Sequence, residues 1–138
     1  MTVYVDTSTV LRRLLRDRAV FAGWGVWDHG YSSVLMRVEA LRTLDRLRLE
    51  GSLDDRSRTA LGEQLEAICS TFHMVAINEA VLARASGSFP TIVKTLDALH
   101  LATALTVAAN ERIEIQLLTH DGQLARAAQA VGLQTSGV

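Results

Sequence analysis

The sequence contains one cysteine, one proline and one lysine. A lone Cys69 excludes both a disulfide framework and a thiolate zinc site, and its apolar flank marks it as a small buried hydrophobe. No apolar run reaches membrane length: the longest, Leu96 to Ala109, contains Asp97 and His100 and is too short to span a bilayer. Asp6 interrupts the only apolar run near the start, so no signal peptide is expected and the protein is read as cytoplasmic. Net charge is also small, −1 with a pI near 6.4, which argues against a broad basic surface. Thirteen of the fourteen basic residues are Arg, however, and the planar guanidinium suits phosphate and carboxylate. Local Arg patches therefore remain available to a polyanion. There is no internal repeat and no low-complexity segment.

What the chain does have is apolar content, 49% with a mean hydropathy of +0.18 over 138 residues. That is enough for one domain, residues 1–138, with a real core. Val3 to Val5 is a short β-branched and aromatic run, hence a buried strand, and Thr7 and Ser8 are expected to cap a helix through Arg16. Between Ala19 and Gly30, Gly23, Gly25 and Gly30 alternate with Trp24 and Trp27. This reads as a loop or short helix packed by its aromatics, with base stacking on an exposed Trp as the alternative. Tyr31 to Val34 is a second short strand. Val34 to Leu49 is helical, with Leu35, Val38, Leu41, Leu44 and Leu47 as its apolar stripe and Gly51 as its terminator. Ser52 is expected to cap the next helix, which pairs with it as an antiparallel hairpin.

Phe72 to Ile77 reads as a strand with His73 on its surface, and Asn78 caps a short helix to Ala85. Ser86 to Pro90 is the clearest loop. Thr95 to Leu105 is almost wholly apolar and so a buried helix. Ile113 to Leu118 is another buried strand, followed by a helix over Gln123 to Ala130 and a last strand near Leu133 to Thr135. Strands alternating with helices imply a parallel sheet covered on both faces.

Two acids, Asp6 and Asp121, stand where a strand hands over to a helix, the edge at which open α/β sheets bind ligands. Asp6, taken alone, is better explained as a helix cap, and Asp121 has the same local context. Glu39 borders an apolar stripe, where pairing with Arg42 one turn on explains it as well. Asp97 lies near the start of a buried helix, where capping is again an alternative to a ligand role. If the four converge, they form an oxygen-only donor set of the kind preferred by Mg²⁺ or Mn²⁺, suited to metal-assisted phosphodiester hydrolysis. Spacing alone does not establish convergence.

Four segments carry the reading further. They are Val5-Asp6-Thr7-Ser8; Ser33 through Glu39-Ala40-Leu41; Leu96-Asp97-Ala98-Leu99-His100-Leu101-Ala102; and Thr119-His120-Asp121 with Leu124 to Ala128 and Gly132. Together and in this order they resemble a PIN domain, specifically the VapC ribonuclease toxins of bacterial toxin–antitoxin pairs. The resemblance implies a three-layer α/β fold with a mostly parallel, twisted sheet of four to five strands. It implies that Asp6, Glu39, Asp97 and Asp121 are the catalytic quartet and hold Mg²⁺ or Mn²⁺, with Ser8 and Thr119 as supporting hydroxyls. It further implies an endoribonuclease acting on structured RNA such as tRNA, leaving 5′-phosphate and 3′-hydroxyl ends. The partners it implies are a second copy of the chain and a VapB-like antitoxin whose carboxyl-terminal segment lies across the active site. Gly122-Gln123 departs from the charged residues usual in such chains, which leaves no further acid for a second metal. Lys94, His100, Arg12 and Arg13 are candidate RNA contacts, against a packed core histidine and solvated basic side chains. The competing readings are a housekeeping RNA-processing nuclease and a non-catalytic PIN-fold binding module. A haloacid-dehalogenase-type phosphatase would require an acid where Ser8 stands.

Overall fold

The computed structural model describes residues 1–16 and 22–137. Its elements, in chain order, are β1 (Thr2–Val5), α1 (Thr7–Leu14), β2 (His29–Ser33), α2 (Val34–Leu49), α3 (Asp55–Cys69) and β3 (His73–Val75). They continue with α4 (Glu79–Ala85), α5 (Thr95–Glu111), β4 (Gln116–Leu118), α6 (Gly122–Ala130) and β5 (Gln134–Ser136). The strands form one sheet, all parallel, in the order β3-β2-β1-β4-β5.

Period-two alternation in the strands divides the core into two layers. Val3 and Val5 of β1 and Leu118 of β4 face Val10, Leu14, Met36, Ala40, Leu44 and Leu65, the inner surfaces of α1, α2 and α3. Tyr4 and Leu117 turn the other way, onto Leu101, Ala104 and Val107 of α5 and Leu124, Ala127 and Ala128 of α6. The result is the expected three-layer arrangement with five strands. All strands being parallel, their carboxyl ends share one edge. The chain runs from β1 outward to β2 and β3 and then returns to lay β4 on the other side of β1. The gap between β1 and β4 is therefore a topological switch point, where open α/β sheets place their ligand crevice.

Several local expectations change. Asp6 rather than Thr7 or Ser8 caps α1, accepting from the Thr9 N–H at 3.1 Å. Asp54 rather than Ser52 caps α3, accepting from the Ser57 N–H at 2.7 Å. Ser52 is already committed: its N–H, with that of Leu53, closes the end of α2 on the Leu47 carbonyl around Gly51, which has φ +81°. The buried residues of α2 are Met36, Ala40 and Leu44, while Val38 is 57% exposed. An every-third pattern such as 35-38-41-44-47 drifts about 60° round a helix at each step, so it cannot hold one face, whereas four-residue steps drift about 40° the other way. The α2–α3 hairpin is antiparallel, since Arg37 pairs with Glu66 and Arg48 with Asp55. α5 runs six residues beyond its expected end, to Glu111, and stops at Arg112 in a left-handed conformation. β3 and β4 are shorter than the apolar runs that announced them.

The expected 19–30 segment lies partly on residues 17–21, outside the described residues. Of its described part, Trp24 packs edge-on against Trp27 and Phe72, and Trp27 stacks on Phe72. Gly30 permits this approach: a Cβ there would meet the Phe72 ring at 2.7 Å. The two indoles thus belong to the aromatic packing rather than to an open stacking platform.

Candidate active site

Asp6 follows β1 directly and is 4% exposed. Its carboxylate is ringed by donors. Ser8 Oγ donates to both oxygens at 2.8 and 2.9 Å, and Thr119 Oγ1 to Oδ2 at 2.7 Å. The Asp6 N–H donates to the Leu118 carbonyl, continuing the β1–β4 pairing and drawing the loop after β4 alongside. Thr119 in turn accepts from the Asp121 N–H at 3.0 Å, and Ser8 from the His120 N–H at 3.0 Å. One hydroxyl therefore links the two strand-end acids. Asp121 Oδ1 is spent on capping α6, receiving the Gln123 and Leu124 N–H groups. The capping explanation thus holds for Asp6 and Asp121, and it coexists with their place in the cleft.

Glu39 is not paired with Arg42, which is bound to Asp45. Its Oε1 instead accepts from Thr7 Oγ1 at 2.7 Å and meets His100 Nε2 at 2.6 Å. Burial raises the pKa of this carboxyl, but the hydrogen bonds from His100 and then Thr7 outweigh it and leave the group below its ordinary range. Asp97 behaves oppositely. It caps nothing, since Lys94 occupies the N-cap position of α5 without a side-chain bond. Burial, followed by the charge of Asp121 and then by those of Asp6 and Glu39, raises the Asp97 pKa against the pull of His100. Burial sets the direction, and the like charges sharing the space add to it.

These residues line a single cleft of about 210 Å³, walled by Asp6, Glu39, Asp97 and Asp121 with Ser8, Leu11 and Thr43 among the others. A larger hollow of about 400 Å³ lies at the opposite edge, beside Met1, Thr2, Gln116 and Gln134, and Glu114 is the one acidic side chain in its lining. The four acids thus gather at the carboxyl edge of the sheet. Among the described residues, no three His, Cys, Asp or Glu side chains stand close enough to grip a metal ion between them. The donor chemistry nonetheless fits Mg²⁺ or Mn²⁺. Mg²⁺ typically keeps several waters and takes only one or two carboxylates directly, so a wall of acids around a hydrated ion suits it.

A family model for the PIN domain matches residues 3–130. The chain belongs to the PIN domain family. Solved structures agree on the fold. VapBC2 from Rickettsia felis, bound to a DNA fragment from its promoter, gives a TM-score of 0.69 at 12% identity, over 99% of this chain and 98% of that one. A toxin–antitoxin complex from Klebsiella pneumoniae gives 0.65 at 17% identity over 93% of each chain. VapBC-1 from nontypeable Haemophilus influenzae gives 0.59 at 16% identity, over 99% of this chain and 97% of that one. No curated protein matches the sequence significantly. PIN domains are generally nucleases.

The four acids named from sequence therefore come together in this PIN domain, with Ser8 and Thr119 beside Asp6. The basic candidates do not join them. Lys94 is exposed at the start of α5, and Arg13 lies over the Trp24 ring, 5.7 Å from its centroid. Neither they nor Arg12 line the cleft. His100 does line it, at 2% exposure, bonded to Tyr4, Thr7 and Glu39. In the sequence Tyr4 reads only as a strand residue and Thr7 only as a helix cap, not as partners of the site. The available signal was parity, since Tyr4 and Asp6, two apart in an extended segment, share one face. Among the described residues no helix is long and apolar enough to cross a membrane.

Proposed function

We propose that this PIN domain is a Mg²⁺- or Mn²⁺-dependent endoribonuclease, the toxin of a type II toxin–antitoxin pair. The observation that carries this reading is the meeting of Asp6, Glu39, Asp97 and Asp121, from four separate stretches of chain, in one cleft at the switch point of the sheet. Burial, and then the charges of Asp121, Asp6 and Glu39, raise the pKa of Asp97, and acids held together in this way are poised for a cation. Asp6, Glu39, Asp97 and Asp121 would hold the ion. When bound, a divalent cation supplies Lewis acidity to a scissile phosphate and lowers the pKa of an attacking water.

The chain's own groups set up that chemistry. The Ser8 and Thr119 hydroxyls and the Thr9 N–H hold the Asp6 carboxylate in one orientation, so little reorganisation accompanies binding. Thr119 transmits this order to Asp121 through the Asp121 N–H. His100 and Thr7 keep Glu39 ionised in a half-buried place. At about 210 Å³ the cleft is smaller than pockets that enclose drug-sized ligands, which suits a backbone phosphate at its mouth better than an engulfed metabolite. Structured RNA such as tRNA is the proposed substrate, with a homodimer, a VapB-like antitoxin and a cytoplasmic setting completing the reading. The solved complexes that share the fold support the toxin–antitoxin context.

The test is expression in a bacterial host with and without a small gene adjacent to the native one. Growth arrest that the neighbour relieves, and that Asp6→Asn abolishes, supports a toxin. Unimpaired growth at confirmed expression removes the toxin reading and leaves a housekeeping nuclease or a binding module.

A further inference from the structure

His100 sits at the back of the cleft with both ring nitrogens occupied, and the fold spends three polar side chains on it. Nδ1 meets the Tyr4 hydroxyl at 2.7 Å, while Nε2 meets Glu39 Oε1 at 2.6 Å and Thr7 Oγ1 at 3.2 Å. Tyr4, wholly buried in β1, cannot turn elsewhere without opening the core, and its ring stands edge-on to the imidazole at 5.9 Å. A buried polar group of this kind is stable only when every member is satisfied.

We infer that Tyr4 and His100 form a positioning relay for Glu39, in which Tyr4 fixes the imidazole tautomer and His100 commits one carboxylate oxygen so that the other is left to the cleft. This rests on the reading of Glu39 as part of the nuclease site. The direction of the relay follows from proton inventory. Glu39 Oε1 lies 2.6 Å from Nε2, and a carboxylate oxygen only accepts, so the ring hydrogen stands on Nε2. The other ring nitrogen, Nδ1, then accepts the Tyr4 O–H at 2.7 Å. Thr7 donates to that same Oε1. Two donors thus converge on Oε1, and Oε2 has no hydrogen-bond partner among the described residues. A carboxylate bonded on one oxygen is fixed about its terminal torsion, which is otherwise broad. His100 is thus a positioning residue for the cleft rather than a contact for RNA.

The relay makes predictions that a packing histidine does not. In ¹⁵N imidazole spectra of the intact metal-free protein, His100 should show the tautomer with hydrogen on Nε2, and Tyr4→Phe should shift it toward a mixture. His100→Leu fills the space without donating and should weaken Mn²⁺ binding, measured by titration calorimetry without RNA, by about tenfold, as loss of a ligand's supporting bond does. His100→Gln, whose amide can reach where Nε2–H was, should restore most of that loss. Tyr4→Phe, with the ring retained, covers the case in which His100→Leu fails to fold, and should also weaken Mn²⁺ binding. A purely structural role would lower the melting temperature and leave the Mn²⁺ affinity of the folded protein unchanged. A wild-type tautomer with hydrogen on Nδ1, or unchanged Mn²⁺ affinity in the variants, overturns the relay. If the wild type binds no Mn²⁺ at all, the nuclease reading fails, and the imidazole spectrum still decides the relay.

Discussion

Replacing Asp97 with Asn should make the metal-free protein more stable and the metal-loaded protein less so. Without a cation, Asp97 is a half-buried acid whose pKa is raised by burial and then by Asp121, with Asp6 and Glu39 adding to it. A raised carboxyl pKa means that the folded state prefers the protonated form. Ionising the group at neutral pH therefore opposes folding, and the handicap grows as pH rises from the ordinary carboxylate pKa through the raised one. Asparagine is nearly isosteric and carries no charge, and among the described residues Asp97 has no cap or hydrogen bond for it to disturb. Relief of the burial penalty and of the like-charge repulsion at such a site is worth about 1 kcal/mol, which for a domain of this size raises Tm by roughly 3–5 °C. Adding Mn²⁺ should reverse the order. A ligand at 100 times its dissociation constant stabilises the fold by about 2.7 kcal/mol, more than the variant's head start, and the variant collects less of it because a donor is missing. The assay is thermal unfolding followed by circular dichroism at pH 7, in EDTA and across a Mn²⁺ titration. A variant less stable than wild type in EDTA refutes the repulsion argument. Equal stabilisation of both proteins by Mn²⁺ refutes the placement of Asp97 around the ion.

Glu39 should show the opposite pH dependence. Its pKa is depressed, so the stability it contributes is present above the ordinary carboxylate range and fades as pH falls through the depressed value; Glu39→Gln should flatten that part of an acid-unfolding curve. Thr119→Val removes the donor to Asp6 and the acceptor for the Asp121 N–H while keeping the shape, and should reduce stability by about 1–3 kcal/mol in urea unfolding, with Thr119→Ser recovering most of it. Gly137 has φ +103°, and a Cβ there would fall 2.6 Å from the Thr119 carbonyl oxygen. Gly137→Ala should therefore destabilise the protein by about 1 kcal/mol or more and loosen the Thr119 hydroxyl, seen as weaker Mn²⁺ binding.

The residues that announced the site were those whose local context was unusual: acids directly after β-branched strands at Asp6 and Asp121, and an acid inside an apolar helix at Asp97. Strand and helix order were legible for the same reason, since long apolar runs have only a few ways to be buried. What could not be read was anything set by partners distant in the chain. Glu39 sits beside Arg42 in sequence, yet its partners are Thr7 and His100, 32 and 61 positions away. The buried face of α2 followed from which sheet it met, so a leucine stripe in the sequence misplaced it onto Val38. Ser52 was a plausible cap until the turn at Gly51 claimed its backbone. Arg12, Arg13 and Lys94 matched an RNA-binding composition, but composition does not say which side of the molecule a side chain faces.

The central claim is that the four acids constitute a metal-dependent ribonuclease site, and cleavage of a defined RNA by the purified protein tests it most directly. Asp6→Asn is the control to use, because asparagine caps a helix about as well as aspartate and so preserves α1 while removing the charge. Wild-type protein should cut 5′-labelled tRNA in Mn²⁺ and not in EDTA, while Asp6→Asn, equally folded, should leave it intact. RNA left whole by the wild type in both Mg²⁺ and Mn²⁺, or cut equally by Asp6→Asn, would contradict the account.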